Sequence, residues 1–249
     1  MFYFALVSVL ICLCLNDGAD AAKLPSSWTK CNRTVKTFPE CFRKGIEYAI
    51  NSFNKPTPEL ELGSLEPLDI PSLDIGEGRG AVNVAQHFKN VKLHGLTNVK
   101  IYRSMIDWDK KTIITDSLSP SLRLEGEYAM NGRVLLLPVM GQGTCNITLE
   151  NMKIHHVMSF DYVERKGKTY MKVTDIAISM NLEKISFKFH NLFNRQRGLG
   201  ENINNVLNDN SADVFNDVRE GYEKSFGLIF KNLANSILLK VPVEDLFLN

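Results

Sequence analysis

Residues 211–240 read SADVFNDVREGYEKSFGLIFKNLANSILLK. Apolar side chains recur at Phe215, Val218, Tyr222, Phe226, Ile229, Leu233 and Ile237, in steps of three and four. That spacing lays one continuous stripe along a helix of period 3.6. Phe230, Ala234 and Leu238 widen the stripe, while Asp217, Arg219, Glu220, Lys224, Lys231 and Asn232 hold the opposite side. At about 1.5 Å per residue such a helix runs roughly 45 Å. A face that long and that aromatic cannot bury itself and needs something large to wrap it.

The middle of the chain reads as the wrapper. From residue 81 to about 193 the apolar period becomes two: Val82, Val84, Gln86 and Phe88 alternate with polar or small residues, as do Val91 and Leu93, then Val99 and Ile101. Leu122 and Leu124, Val134 and Leu136, Ile147 and Leu149 continue the pattern. The run from Ile176 through Ile178 and Met180 to Leu182 follows, and Ile185, Phe187 and Phe189 close it. Turn signals fall at residues 107–111, at Asn131-Gly132 and at residues 165–168, Asn-Gly being the strong hairpin signal. The expectation is an antiparallel meander, apolar on one face.

Around this middle stand smaller elements. Phe42, Ile46, Ala49, Ile50 and Phe53 define an amphipathic helix over residues 39–53, with Pro39 in its first turn and Pro56 and Pro58 beyond its end. Residues 55–80 hold four prolines and four glycines and predict an extended connection. The glycines at 76, 78 and 80 precede neither a helix pattern nor a Lys-Ser/Thr pair, so they are read as a flexible entry to a strand. Residues 199–209 start a further helix, and Asn208-Asp209-Asn210-Ser211 either interrupts it or caps the long one. Pro242 ends the long helix. The fold class is therefore α+β: a long C-terminal helix wrapped by a strongly curved antiparallel sheet, with a short N-terminal helix. An arrangement of this kind seldom fills its own interior, and an unfilled apolar interior is a ligand cavity.

With 249 residues, a formal charge of +1 and basic and acidic residues interspersed, the chain lacks the concentrated positive field of a nucleic-acid binder. Residues 2–15 are almost wholly apolar and Ala19-Asp20-Ala21 offers small residues for cleavage, so residues 1–21 are read as a signal peptide and residues 22–249 as one secreted, extracellular domain. Fourteen residues fall short of the ~20 that a spanning helix needs, so no stable membrane insertion is expected. In an oxidising compartment Cys31 and Cys41, ten apart, are expected to pair, closing a loop that stabilises by about 2–3 kcal/mol. Cys145 is left as a buried free thiol. Asn32 and Asn146 head Asn-x-Thr triplets, Asn32 being the better glycosylation candidate.

The sequence carries no Gly-x-Ser-x-Gly elbow and no His-Glu-x-x-His motif. Gly167-Lys168-Thr169 reads as a hairpin, and Asp107-Trp108-Asp109 as a solvated turn. His155 and His156 are adjacent on a strand, so they point to opposite faces and cannot share a metal; one of them faces inward as a polar handle. No catalytic residues, metal site or cofactor are assigned, and the protein is read as a binder and not an enzyme.

Several segments together carry a resemblance: Cys31 and Cys41 ahead of a short helix; Glu66-Pro67-Leu68-Asp69-Ile70-Pro71; His94-Gly95-Leu96; Gly126-x-Tyr128 with Gly132; Leu137-Pro138-Val139 leading to Gly141-x-Gly143; Asn146-Ile147-Thr148-Leu149; Leu199-Gly200; and Val241-Pro242. In this order and spacing they resemble the arthropod takeout and juvenile-hormone-binding proteins, secreted carriers of hydrophobic ligands. The resemblance implies a long helix wrapped by a curved sheet, related to the tubular lipid-binding (TULIP-like) fold of bactericidal permeability-increasing proteins. Hormone-binding members carry a second disulfide in the body; here only Cys145 stands there, which favours the takeout branch and its longer tunnel.

On this reading the partner is a small extended hydrophobic molecule, terpenoid, juvenile-hormone-like or fatty-acid-like. Phe215, Val218, Tyr222, Phe226, Ile229 and Leu233 are expected to line the tunnel, Phe42, Ile46, Ile50 and Phe53 to gate one end, and Tyr128 to anchor a polar head. The alternatives are a lipid-transfer protein that docks on membranes or lipoproteins, and a lipid-ester hydrolase. The sequence names no receptor or transfer partner.

Overall fold

The computed structural model describes residues 21–76, 80, 82–134, 137–193 and 197–248. The signal-peptide reading of residues 1–21, apart from Ala21, residues 77–79 of the glycine-rich strand entry and Leu136 of the alternating pattern lie outside them. Strand β1 (Cys31–Asn32) is followed by helix α1 (Phe38–Ser52), with Pro39 at its start as expected. Strands β2 (Leu68–Ile75), β3 (Val82–His94), β4 (Lys100–Asp107), β5 (Thr112–Val134), β6 (Leu137–Arg165), β7 (Lys168–Asn181) and β8 (Lys184–Phe189) form one antiparallel sheet. Helices α2 (Arg197–Asp209) and α3 (Ser211–Leu238) come next, then a short helix α4 (Val243–Leu246) and strand β9 (Phe247–Leu248), which pairs in parallel with β1.

The sheet departs from a simple meander because β5 and β6 are long enough to take two partners end to end. One half of β5 pairs with β4 and the other with β3, while β6 pairs with β7 along one half and β8 along the other. The hairpin expected at Asn131-Gly132 is corrected: β5 runs straight through both residues, which face Met140 and Val139 of β6. Gly132 serves close backbone approach instead of a turn, since a Cβ there would collide with the carbonyl oxygen of Asn83 on β3.

The sheet is not closed into a barrel; α3 seals the seam. On one side Ser225 Oγ donates to the Asp74 carbonyl on β2 (2.8 Å) and the Val82 amide on β3 donates to Asp217 (2.9 Å). On the other, the Met180 amide on β7 donates to Glu223 (2.7 Å). Gly227 lets the helix settle onto β7, where a Cβ would stand 2.5 Å from the Ile176 carbonyl oxygen. The expected helix of residues 211–240 thus finds its sheet partner. Asn210 interrupts α2 and α3 without capping, its side-chain amide donating back to the Val206 carbonyl.

The free edges of the sheet are closed by a repeated device, in which a helix side chain takes the place of the missing strand. Asn235 of α3 accepts from the Val173 amide and donates to the Val173 carbonyl (2.8 and 2.9 Å) on β7. Asn208 and Asn204 of α2 do the same for Phe187 and Phe189 on β8. On α1, Asn51 pairs with Val99 just before β4, while Glu47 accepts from the Ile101 amide and Arg43 donates to its carbonyl. Edges left bare would invite pairing with other chains. Asn235→Leu leaves both backbone groups of Val173 unpaired, and we expect a loss of about 2 kcal/mol in unfolding free energy by urea titration. Asn235→Gln, with the amide kept but displaced, should lose less.

Candidate ligand-binding site

One main core cluster fills the end of the roll where α2, β8 and the first half of α3 meet. Phe215, Tyr222 and Phe226 lie there, and Tyr222 donates from its hydroxyl to Gln86 Oε1 at 3.0 Å, both groups buried. Burial pushes the Tyr222 hydroxyl's pKa up, so it stays a neutral donor. These three aromatics border only a small void of about 40 Å³.

At the other end the interior is open. A cavity of about 380 Å³, partly open to solvent, lies between α1, the second half of α3 and the sheet. Helix α1 contributes Phe42, Gly45, Ile46, Ala49 and Ile50, followed by Phe53, and α3 contributes Phe230, Leu233, Ala234, Ile237 and Leu238. Met171 and Ile176 come from β7, and Leu246 and Phe247 from the C-terminal tail. The last turns of α3 stand half-buried all round, as expected of a helix with a cavity on its inner side. Phe230, Leu96 and Ile154 border both the cavity and the smaller void.

Of the residues singled out from sequence, Phe42, Ile46, Ile50, Phe53 and Leu233 line this cavity, and Phe215, Tyr222 and Phe226 line the void. Val218 is buried in the core and Ile229 packs partly against it; neither borders the cavity or the void. Tyr128 borders neither. Its hydroxyl donates to the His190 carbonyl (2.8 Å), its ring meets Phe189 edge-on, and burial raises its pKa, so it pins β5 to the chain after β8 with its one O–H donor already engaged. The inward polar handle expected of one of His155 and His156 is His156 on β6, but sequence reasoning missed the hydroxyl part of the cavity wall: Thr115, Ser117 and Ser119 on β5. Its only signal was the set of small hydroxyl residues at alternate positions, where a strand facing an ordinary core would be apolar.

The disulfide Cys31–Cys41 ties β1 to the start of α1 beside the cavity. Phe38, Phe42, Trp108 and Phe247 stack around it, which anchors this end of α1 to the C-terminal tail. Cys145 is buried without a sulfur partner among the described residues, and burial pushes its thiol up to about 12. His155 points outward onto Asp116 (2.6 Å) and His156 inward, as their adjacency requires. Among the described residues no group of three His, Cys, Asp or Glu side chains could hold a metal, and no helix is long and apolar enough to cross a membrane.

The sequence model of the haemolymph juvenile hormone binding protein (JHBP) family matches residues 8–248. The circadian clock-controlled protein daywake of Drosophila yakuba is 24% identical over 225 residues, covering 86% of this chain and 81% of that one. Its Drosophila melanogaster counterpart is 23% identical over 223 residues, with the same coverage. Among solved structures, Takeout 1 of Epiphyas postvittana superposes with a TM-score of 0.75 at 26% identity, over 88% of this chain and 99% of that one. A match over nearly the whole chain, on a fold with an apolar cavity beneath a disulfide-tethered helix, makes this protein a member of the haemolymph juvenile hormone binding protein family of hydrophobic-ligand carriers.

Proposed function

We propose that this protein is a secreted carrier that holds one extended apolar molecule, of terpenoid or fatty-acyl type, in the cavity between α1 and α3. The observation that carries this reading is the cavity itself. Its volume falls within the ~300–1,000 Å³ of small-molecule sites, and its wall is apolar apart from a few Ser, Thr and His groups. Desolvation of an apolar chain, worth about 25 cal/mol per Å² removed from water, supplies the affinity. Phe42, Ile46, Ile50 and Phe53 form the α1 wall and serve as the gate, hinged where the disulfide holds the start of the helix. Phe230 divides the cavity from the void bordered by Phe215, Tyr222 and Phe226, and its rotation would join the two into a longer tunnel. Residues 1–21 act as the secretion signal and residues 22–249 as the single binding domain, with no catalytic role.

Asn32 is the glycan site we favour. It stands at the tethered arm with the Thr34 hydroxyl donating to its Oδ1 (2.7 Å), whereas Asn146 sits in mid-sheet with its amide engaged by Glu125 (3.1 Å). Loss of the glycosidase-sensitive mass shift in Asn32→Gln, with Asn146→Gln unaffected, is the expected result. For the carrier reading itself the test is native mass spectrometry of protein secreted from eukaryotic cells, followed by organic extraction. An adduct of a few hundred daltons should come off as an apolar molecule. A protein that is always empty and binds no apolar fluorescent probe would sink the proposal.

A further inference from the structure

The β5–β6 wall of the cavity carries an unmet polar demand. Thr115, Ser117 and Ser119 project into it from alternate positions of β5, and His156 from the position of β6 opposite Thr115. Thr115 Oγ1 is already bonded to Ser104 Oγ (2.9 Å). Ser117 Oγ and His156 Nδ1 are buried and have no hydrogen-bond partner among the described residues. The imidazole is bonded to the Thr115 backbone, and burial holds its pKa down at about 4, so at neutral pH the ring is uncharged. Because Nδ1 has no partner, we assign the donor to that backbone as Nε2–H, the tautomer in which Nδ1 is a bare acceptor. Ser117 faces Ile154, two residues from His156 along β6, which makes the two orphaned atoms diagonal neighbours on one face of the sheet.

Each such atom, left dry, forfeits the hydrogen bonds that water would have given it. An occupant that meets both must donate to Nδ1 and accept from the Ser117 hydroxyl. A hydroxyl group does both. An ester, ether or epoxide can only accept and leaves Nδ1 bare. An ionised carboxylate also lacks the donor, and the lining holds no Lys or Arg to balance its charge.

From the unpartnered Ser117 hydroxyl and His156 Nδ1 in an otherwise apolar wall, we propose that the cavity selects an apolar chain ending in a hydroxyl, seated with its oxygen between Ser117 and His156. The proposal rests on the reading of the cavity as a ligand site. In the ligand-free protein a water can occupy the same spot, and a hydroxyl displaces it with its hydrogen bonds reproduced.

The test is displacement of N-phenyl-1-naphthylamine from the mature protein at neutral pH by three compounds of one chain length: dodecanol, dodecyl methyl ether and dodecanoic acid. Dodecanol should displace the probe at about tenfold lower concentration than the ether, the effect of one satisfied buried group, with the acid weaker than the alcohol. In His156→Phe that ratio should fall to about one while the ether binds as well as before or better. Ser117→Ala removes a donor that alcohol and ether use alike, so it should weaken both and leave the ratio near tenfold, and it remains readable if His156→Phe fails to fold. Equal displacement by alcohol and ether in the wild-type protein, as when a retained water satisfies both atoms, would overturn the proposal. So would a ratio that survives His156→Phe, or one that collapses in Ser117→Ala. If none of the three compounds displaces the probe, or no probe binds, the carrier reading fails as well.

Discussion

Ala49→Trp should abolish binding of apolar probes while leaving the protein folded. Ala49 sits on the cavity-facing side of α1, between Ile46 and Ile50 and one turn beyond Gly45, where an indole projects into empty volume instead of into a packed core. Filling unoccupied space with apolar atoms costs none of the strain that overpacking brings to a tight interior. The same indole removes a large part of a cavity of about 380 Å³. We expect affinity for a probe such as N-phenyl-1-naphthylamine to fall at least about tenfold, equivalent to about 1.4 kcal/mol or more, and the melting temperature to hold or rise. An equal substitution at Val218, in the core and bordering no cavity, should do the reverse and unfold the protein. Unchanged probe affinity in a folded Ala49→Trp variant would place the binding site elsewhere.

That contrast shows where the sequence spoke and where it was silent. The stripe on α3 was legible because a helix buries one face along its whole length, and the period does not depend on what it is buried against. For the same reason it could not tell a residue against packed sheet from one against a cavity. Phe226 and Leu233 belong to the same stripe, yet Phe226 meets the filled end and Leu233 the open one. The deciding feature lies in β5 and β6, which are paired twice over, and long-range pairing leaves no local signature. The Asn-Gly misreading has the same origin: a local turn preference yielded to a strand that needed a glycine for close approach to β3. Asn51, Asn204, Asn208 and Asn235 likewise looked like ordinary polar faces of helices. Their task, completing the backbone bonding of edge strands, exists only once those edges are in place. Tyr128 was chosen for its hydroxyl, and sequence could not show that the His190 carbonyl already holds it.

Acidification should destabilise this protein by about 2–3 kcal/mol through His156 alone. Burial is the main force lowering its pKa, from an ordinary 6.5 to about 4; the bond to the Thr115 backbone opposes that fall, His155 adds to it and Asp116 resists it. A histidine whose folded pKa is depressed binds fewer protons folded than unfolded between those two values. Stability is therefore full above about pH 6.5 and falls steadily to about pH 4, below which this group adds no further loss. At 1.36 kcal/mol per unit the whole shift would reach about 3 kcal/mol, and the half-open cavity, which lets water reach one edge of the ring, trims it. Depressed carboxylates act in the same direction at lower pH: Asp116, bonded to His155 and Arg103, loses its contribution only as pH falls through its own lowered value. The two are separable by mutation. His156→Phe should flatten the urea-derived stability profile between about pH 6.5 and pH 4 and leave the steeper loss below it. A wild-type profile already flat across that window, or a slope that persists in His156→Phe, would show that the imidazole is not held neutral in the cavity wall. Because the same neutral ring is what offers Nδ1 to a ligand hydroxyl, an alcohol-loaded protein should resist this acid loss more than an ether-loaded one.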